Sequence, residues 1–224
     1  MKFLLKCLFL IIFCSSSASI IQSSFGKVVV NSIKIETQKD QHLVFDLYKP
    51  DLASKDNKMP FVIVVPGFQR SKEALSNIAI ELSRRGIVVA LIDPYAQGLS
   101  SSSRSKRSAT TEGYGMFALV EKAHSGNLFD FIDIKKIATT GHSMGGNAAI
   151  RGANYFGKQA IKNSEPSKLH SVFVSGYVLT LVDSVLKDVK SNIGVSYALY
   201  DEGAFRNDLS GWDASDMKIA PESI

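Results

Sequence analysis

The sequence predicts an α/β fold: a mostly parallel sheet with helices on both faces and an antiparallel hairpin on its N-terminal side. Three observations carry this prediction. First, Phe61-Val62-Ile63-Val64-Val65 and Ile87-Val88-Val89-Ala90-Leu91-Ile92 are unbroken apolar runs, as expected of parallel strands covered on both faces. Second, Leu75, Ile78, Ala79 and Leu82 recur between them at helical spacing. Third, Gly141-His142-Ser143-Met144-Gly145-Gly146 separates the apolar run Ile137-Ala138-Thr139-Thr140 from the helix-like run Asn147–Ala153.

In chain order, Val28-Val29-Val30 with Ile33 and Ile35 predicts a first strand, and His42–Tyr48 a second. They pair as a hairpin across Gln38-Lys39-Asp40. Lys49-Pro50 stops the second, and residues 51–59 read as a polar loop. Phe61–Val65 ends at Pro66-Gly67. A helix is expected from Lys72 to Arg85, with Ser71 as N-cap and Gly86 as the terminal glycine. Strand, helix and strand over 60–93 form one right-handed β-α-β unit. The run Ser101–Ser108 is Ser-rich and basic. It reads as a solvated loop, or as a flap that meets an anionic group. Tyr114 to Ser125 can be helical. Beyond the glycine-serine turn, Ser171–Ser175 predicts a strand, Leu179–Lys190 a helix and Ile193–Tyr200 a last strand.

The chain has 224 residues, 45% hydrophobic and 21% charged, enough for one domain with a substantial core. Residues 1–18 read as a secretory signal peptide, with the domain over 27–224. Lys2 and Lys6 supply the positive start, Leu8–Cys14 the apolar stretch, and Ser16-Ser17-Ala18 the cleavage site. A lipoprotein site at Cys14 is opposed by bulky Phe13, and the run is short for a retained anchor. The expected location is secreted or periplasmic, with no stable membrane span in the mature chain. Losing Lys2 and Lys6 takes the net charge from +5 to about +3, which is too small and scattered to argue for nucleic acid. Both cysteines, Cys7 and Cys14, fall within the signal, which leaves no disulfide, thiol nucleophile or Cys metal site.

Strand, sharp serine turn and helix is the context that gives Gly-x-Ser-x-Gly its chemical meaning. Gly141 and Gly145 suit a turn too tight for side chains. Ser143 is then the candidate nucleophile, and the Met144 amide, at a helix N-terminus, can face an oxyanion.

The hairpin, the β-α alternation and the elbow after the third buried strand together resemble the α/β-hydrolase fold over residues 27–205. Pro66-Gly67-Phe68 and Asp93 through Gly98 to Ser100 fall at matching spacing. In detail the chain is similar to bacterial secreted esterases and dienelactone-hydrolase-like proteins, whose elbow often reads Ser-Met-Gly-Gly. The resemblance implies a serine hydrolase that cleaves a small-molecule carboxylic ester through an acyl-enzyme at Ser143, with no metal or organic cofactor. It implies an oxyanion hole from the amides of Phe68 and Met144. It implies Asp201, 58 residues after Ser143, as the triad acid, with Glu202 and Asp183 as competitors. Asp93 is assigned to shaping its loop.

The catalytic histidine has no matching position. The family order is serine, acid, then histidine, yet His42, His124, His142 and His170 all precede Asp201. The expectation is a C-terminally incomplete hydrolase domain lacking its last strand, last helix and histidine loop. The alternative is a noncatalytic exported binding or scaffold protein of the same fold. An exposed edge at Ile193–Tyr200 is expected in either case. Oligomeric state is not read from the sequence.

Overall fold

The computed structural model describes residues 21–196 apart from Ser24, Lys39, Lys106, Asn127 and 178–180. The expected signal peptide, Asp201, Glu202 and the end of the last strand fall outside these residues. Eight strands form one sheet in the order β1-β2-β3-β5-β4-β6-β7-β8. They are β1 (Ile21–Ser23), β2 (Gly26–Gln38), β3 (Gln41–Pro50), β4 (Met59–Val65), β5 (Val88–Ile92), β6 (Ile132–His142), β7 (Ser171–Ser175) and β8 (Asn192–Ser196). From β5 onward through β4, β6, β7 and β8 every pairing is parallel, whereas β1, β2 and β3 join antiparallel. This is the predicted architecture, with one addition. The short β1 pairs with the start of β2, and a three-residue strand has too few positions to show a period.

The burial of β4 and β5 follows their composition. Every residue of β5 is buried, and β4 exposes only part of Pro60 and Val62. Helix α1 (Ser76–Ser83) covers one face, and α3 (Met116–His124) and α4 (Met144–Asn163) the other, with the short α2 (Ser108–Thr111) packed on α4. The larger core lies under α3 and α4. There Phe45, Phe61, Ile63, Ile137, Leu119, Ile150 and Phe156 are essentially solvent-free, and Phe129 meets Phe45 and Phe61 edge-on. Each such side chain contributes roughly 1.5–3 kcal/mol through burial. The smaller core, under α1, joins Val28, Tyr48, Val64, Ala79, Val89 and Leu91.

Two helices differ from expectation. The one foreseen over 72–85 is a 3₁₀ turn (Lys72–Leu75) followed by α1, with a break at Leu75. Ser71 does not cap it, because its hydroxyl bonds the Glu73 carboxylate instead. The Lys72 amide donates to Asp93 Oδ1 at 2.8 Å, so the cap comes from the end of β5. The helix foreseen over 179–190 is, among the described residues, only α5 (Asp183–Leu186). The backbone of 188–190 turns down onto α4, so close that a Cβ on Gly157 would lie 1.9 Å from the Asp188 carbonyl oxygen. Asn154 Nδ2, on α4, donates to the Val185 carbonyl at 2.6 Å and holds that turn.

Beyond α1 the same face of the sheet carries an apolar groove of about 560 Å³ between Leu75, Ile78 and Leu82 on one side and Phe173 and Ile193 on the other. β8 is the last strand among the described residues. No helix among them is long and apolar enough to cross a membrane.

Candidate active site

The turn between β6 and α4 is shaped by contacts that exclude side chains. A Cβ on Gly145 would stand 2.0 Å from the Val65 carbonyl oxygen and 2.6 Å from that of Pro66. A Cβ on Gly141 would meet the Gly145 carbonyl group at 2.3 Å. The glycines therefore let the elbow press against the end of β4. Ser143 sits at φ 55°, ψ −125°, a conformation that costs a residue with a Cβ roughly 1–3 kcal/mol. The surroundings hold it there. Its amide donates to the Ser175 carbonyl at 2.9 Å, and its own carbonyl accepts from the Asn147 amide at 3.1 Å.

The loop after β4 faces the serine. A Cβ on Gly67 would lie 3.2 Å from Ser143 Cβ and 3.7 Å from Ser143 Oγ. The next residue, Phe68, is 63% exposed, and its amide meets no acceptor among the described residues. Met144 opens α4, where the first amides have no intrahelical acceptor. The two residues whose amides the sequence names as oxyanion donors therefore stand on either side of the turn: Phe68 follows Gly67, which faces Ser143, and Met144 follows Ser143 itself. Gln97, which sequence reasoning passed over, fastens the loop: its Oε1 accepts from the Arg70 amide at 3.1 Å.

Asp93 is 1% exposed and lies at the end of β5. Its carboxylate accepts from the amides of Lys72 and Leu99, at 2.8 and 3.0 Å. Lys72 Nζ lies 3.9 Å from it, 3.6 Å from Asp46 and 3.0 Å from Glu73. Burial opposes the charge on Lys72, but the Glu73 hydrogen bond and the carboxylates of Asp46 and Asp93 outweigh it and raise the ammonium pKa. Hydrogen bonds from Ser71 and Lys72 pull the Glu73 carboxyl down to about 2. Asp93 organises the loops on both sides, the role that the resemblance to α/β hydrolases implies for it.

A pocket of about 590 Å³ opens beside the elbow, between Phe68 and Met144 at one end and Ser102–Ser105 and Arg107 at the other. Tyr95 and Tyr114 form its floor, and burial pushes both phenols above their usual range, so they remain neutral. The groove under α1 has a similar volume, but it lies behind the elbow and offers almost no polar surface. The polar chemistry lies on the Phe68–Met144 side. The Ser-rich loop in the pocket wall is not simply solvated. Ser101 Oγ accepts from the His42 amide at 3.0 Å, the Ser101 amide donates to the His42 carbonyl at 3.0 Å, and Gln41 Nε2 donates to the Ser102 carbonyl at 3.2 Å.

None of the four histidines approaches Ser143 as a base. His142 belongs to β6 but points to the opposite face, lining the apolar groove and packing on Gly176. His170 precedes β7, roughly 16 Å of strand from Ser175, which neighbours the elbow. His124 bonds the Lys168 carbonyl at 2.8 Å, and His42 bonds the Leu99 carbonyl at 3.1 Å. Asp183 opens α5 and does not line the pocket. Among the described residues no group of His, Cys, Asp and Glu could hold a metal ion.

The sheet order, the strained serine elbow and the facing glycine loop define an α/β hydrolase. Residues 14–206 match the PET hydrolase-like family, and the chain belongs to that family. Among solved structures it is similar to the α/β hydrolase GrgF from Penicillium sp. sh18 (TM-score 0.51, 19% identity, 66% of this chain and 45% of that one). It is similar also to a hypothetical protein from Pseudomonas aeruginosa (TM-score 0.51, 21% identity, 72% and 46%) and to brefeldin A esterase, a bacterial protein (TM-score 0.50, 13% identity, 72% and 42%). The chain therefore spans less than half the length of these structures. No curated protein matches it.

Proposed function

We propose that this protein is an exported serine hydrolase that cleaves small carboxylic esters through an acyl-enzyme at Ser143. The observation that carries the reading is the backbone of Ser143, held at φ 55° with its side chain facing Gly67. Strain of this kind persists where the surroundings over-determine it, commonly at functional sites. Membership of a family named for PET hydrolases supports hydrolysis as the activity.

In this reading Ser143 Oγ attacks the ester carbonyl carbon and loses its proton. The carbonyl oxygen takes the negative charge between the amides of Phe68 and Met144, worth about 2.7–4 kcal/mol of transition-state stabilisation per donor. The carbon–alkoxy bond then breaks and the alcohol leaves with a proton; water adds to the acyl carbon, the bond to Oγ breaks, and the carboxylic acid departs as Ser143 regains its hydroxyl proton. Asp201 is the proposed acid. Among the described residues all four histidines point away from Ser143, so for these residues alone its proton passes to solvent or to an added base such as imidazole. Oxyanion stabilisation and binding alone leave about 10³–10⁴-fold over water in enzymes stripped of a triad member.

The histidine geometry also favours a second reading, an exported binding protein of the same fold without turnover. Hydrolysis of p-nitrophenyl acetate with and without imidazole separates the two. A hydrolase shows a slow rate that imidazole raises beyond the increase seen with Ser143→Ala. Equal rates for the parent and Ser143→Ala under both conditions overturn the hydrolase reading and leave the binding protein.

A further inference from the structure

The pocket beside Ser143 has a wall whose chemistry an uncharged ester leaves unused. Arg104 and Arg107 line it, and among the described residues no carboxylate does. Glu112, behind that wall, is partly buried, and its Oε2 accepts from Ser103 Oγ at 2.5 Å. Arg104 Nη1 reaches Gln38 Oε1 at 3.2 Å, which anchors its side chain beside β2, and Arg107 makes no ion pair among the described residues. The same wall holds two polar groups with no hydrogen-bond partner among the described residues: Ser108 Oγ, on a residue only 6% exposed, and Gln97 Nε2. Gln97 Oε1 is already engaged by the Arg70 amide, so its free end is the donor.

The backbone that carries these groups is arranged before any ligand arrives. Ser100 Oγ donates to the Asp93 carbonyl at 2.7 Å and accepts from the Val44 amide at 2.9 Å. Ser103 Oγ accepts from the Ser105 amide at 2.9 Å, and Ser105 Oγ from the Arg107 amide at 3.0 Å. A wall held this way loses little freedom when it meets an anion, so more of the interaction appears as affinity. Guanidinium groups match a carboxylate in geometry as well as charge.

We propose that this wall is an anion subsite, and that the substrate is an ester carrying a free carboxylate, such as a monoester of a dicarboxylic acid. The ester end lies between Phe68 and Met144, and the carboxylate lies against Arg104, Arg107 and the donors of Gln97 and Ser108. The proposal rests on Ser143 being the reacting group.

Arylboronic acids test the subsite without turnover. Ser143 Oγ forms a bond to boron and releases its proton to solvent, giving a tetrahedral adduct. Dissociation constants are measured calorimetrically for 3- and 4-carboxyphenylboronic acid and for the matching uncharged carboxamides. The expected result is that at least one carboxylate binds about tenfold tighter than its carboxamide. Arg107→Gln and the double variant Arg104→Gln/Arg107→Gln remove that preference while the carboxamide keeps its affinity. In the unmodified protein, about 1 M salt shrinks the preference by screening. Equal binding of carboxylates and carboxamides, with Ser143→Ala abolishing both, overturns the anion subsite and leaves the hydrolase reading standing. A preference unchanged by salt or by the double substitution overturns it too. Binding of none of the four compounds overturns the Ser143 reading and the subsite together.

Discussion

The elbow at Ser143 and the Ser101–Ser108 loop face each other across one pocket, but they are built in different ways. The elbow is local. Its shape follows from Gly141, Ser143 and Gly145 within five residues, pressed onto the end of β4. The loop takes its shape at a distance, from hydrogen bonds to His42 and Val44, residues 56–59 positions away on β3. One half of the site is therefore written in a motif. The other half is written in the pairing of the hairpin with β5, which brings β3 beside the end of the Asp93 strand.

The contrast can be broken most sharply at Gly145. A Cβ there would overlap the carbonyls of Val65 and Pro66, so Gly145→Ala is expected to cost about 3 kcal/mol or more, beyond the usual range of overpacking. Urea denaturation measures it, and a cost under about 1 kcal/mol contradicts the close approach of elbow and β4. Asp93→Ala comes next, because it strips the amides of Lys72 and Leu99 of a charged acceptor and removes one partner of Lys72. About 3 kcal/mol is expected, from two charge-assisted hydrogen bonds at roughly 1.5–3 kcal/mol each. Ser143→Gly acts in the opposite direction. It relieves the strained φ and should raise stability by about 1 kcal/mol while destroying reactivity. A loss of stability would mean that the serine is not strained. The smallest effect belongs to the loop. Ser101→Ala removes two bonds to the His42 backbone and should cost about 1 kcal/mol, with faster amide exchange confined to His42 and 100–105. Exchange that instead spreads to the elbow would show that the two regions are one unit.

The same contrast decides what could be read from the sequence. The buried strands β4 and β5 and the elbow with its glycines follow from runs, periods and turns within a few residues, whereas the parts of Phe68 and Asp93 were legible only through the resemblance to α/β hydrolases. The extent of α1 did not, because its first turn is capped by Asp93, a residue 21 positions downstream. α5 was overestimated because the apolar period of Val182, Val185, Leu186 and Val189 continues past the point where the backbone settles on Gly157. Gln97 and the cluster of Asp46, Lys72 and Asp93 carry no local signal, since they become neighbours only when β3, β5 and the loop after β4 meet. The basic loop was legible as composition alone. Its place in the pocket wall comes from bonds to a strand that the sequence does not pair with it.

Labelling with a fluorophosphonate, followed by peptide mapping, tests the central claim most directly. The account predicts a single phosphonylated residue, Ser143, and no label on Ser143→Ala. Label on another residue, or labelling that survives Ser143→Ala, contradicts it.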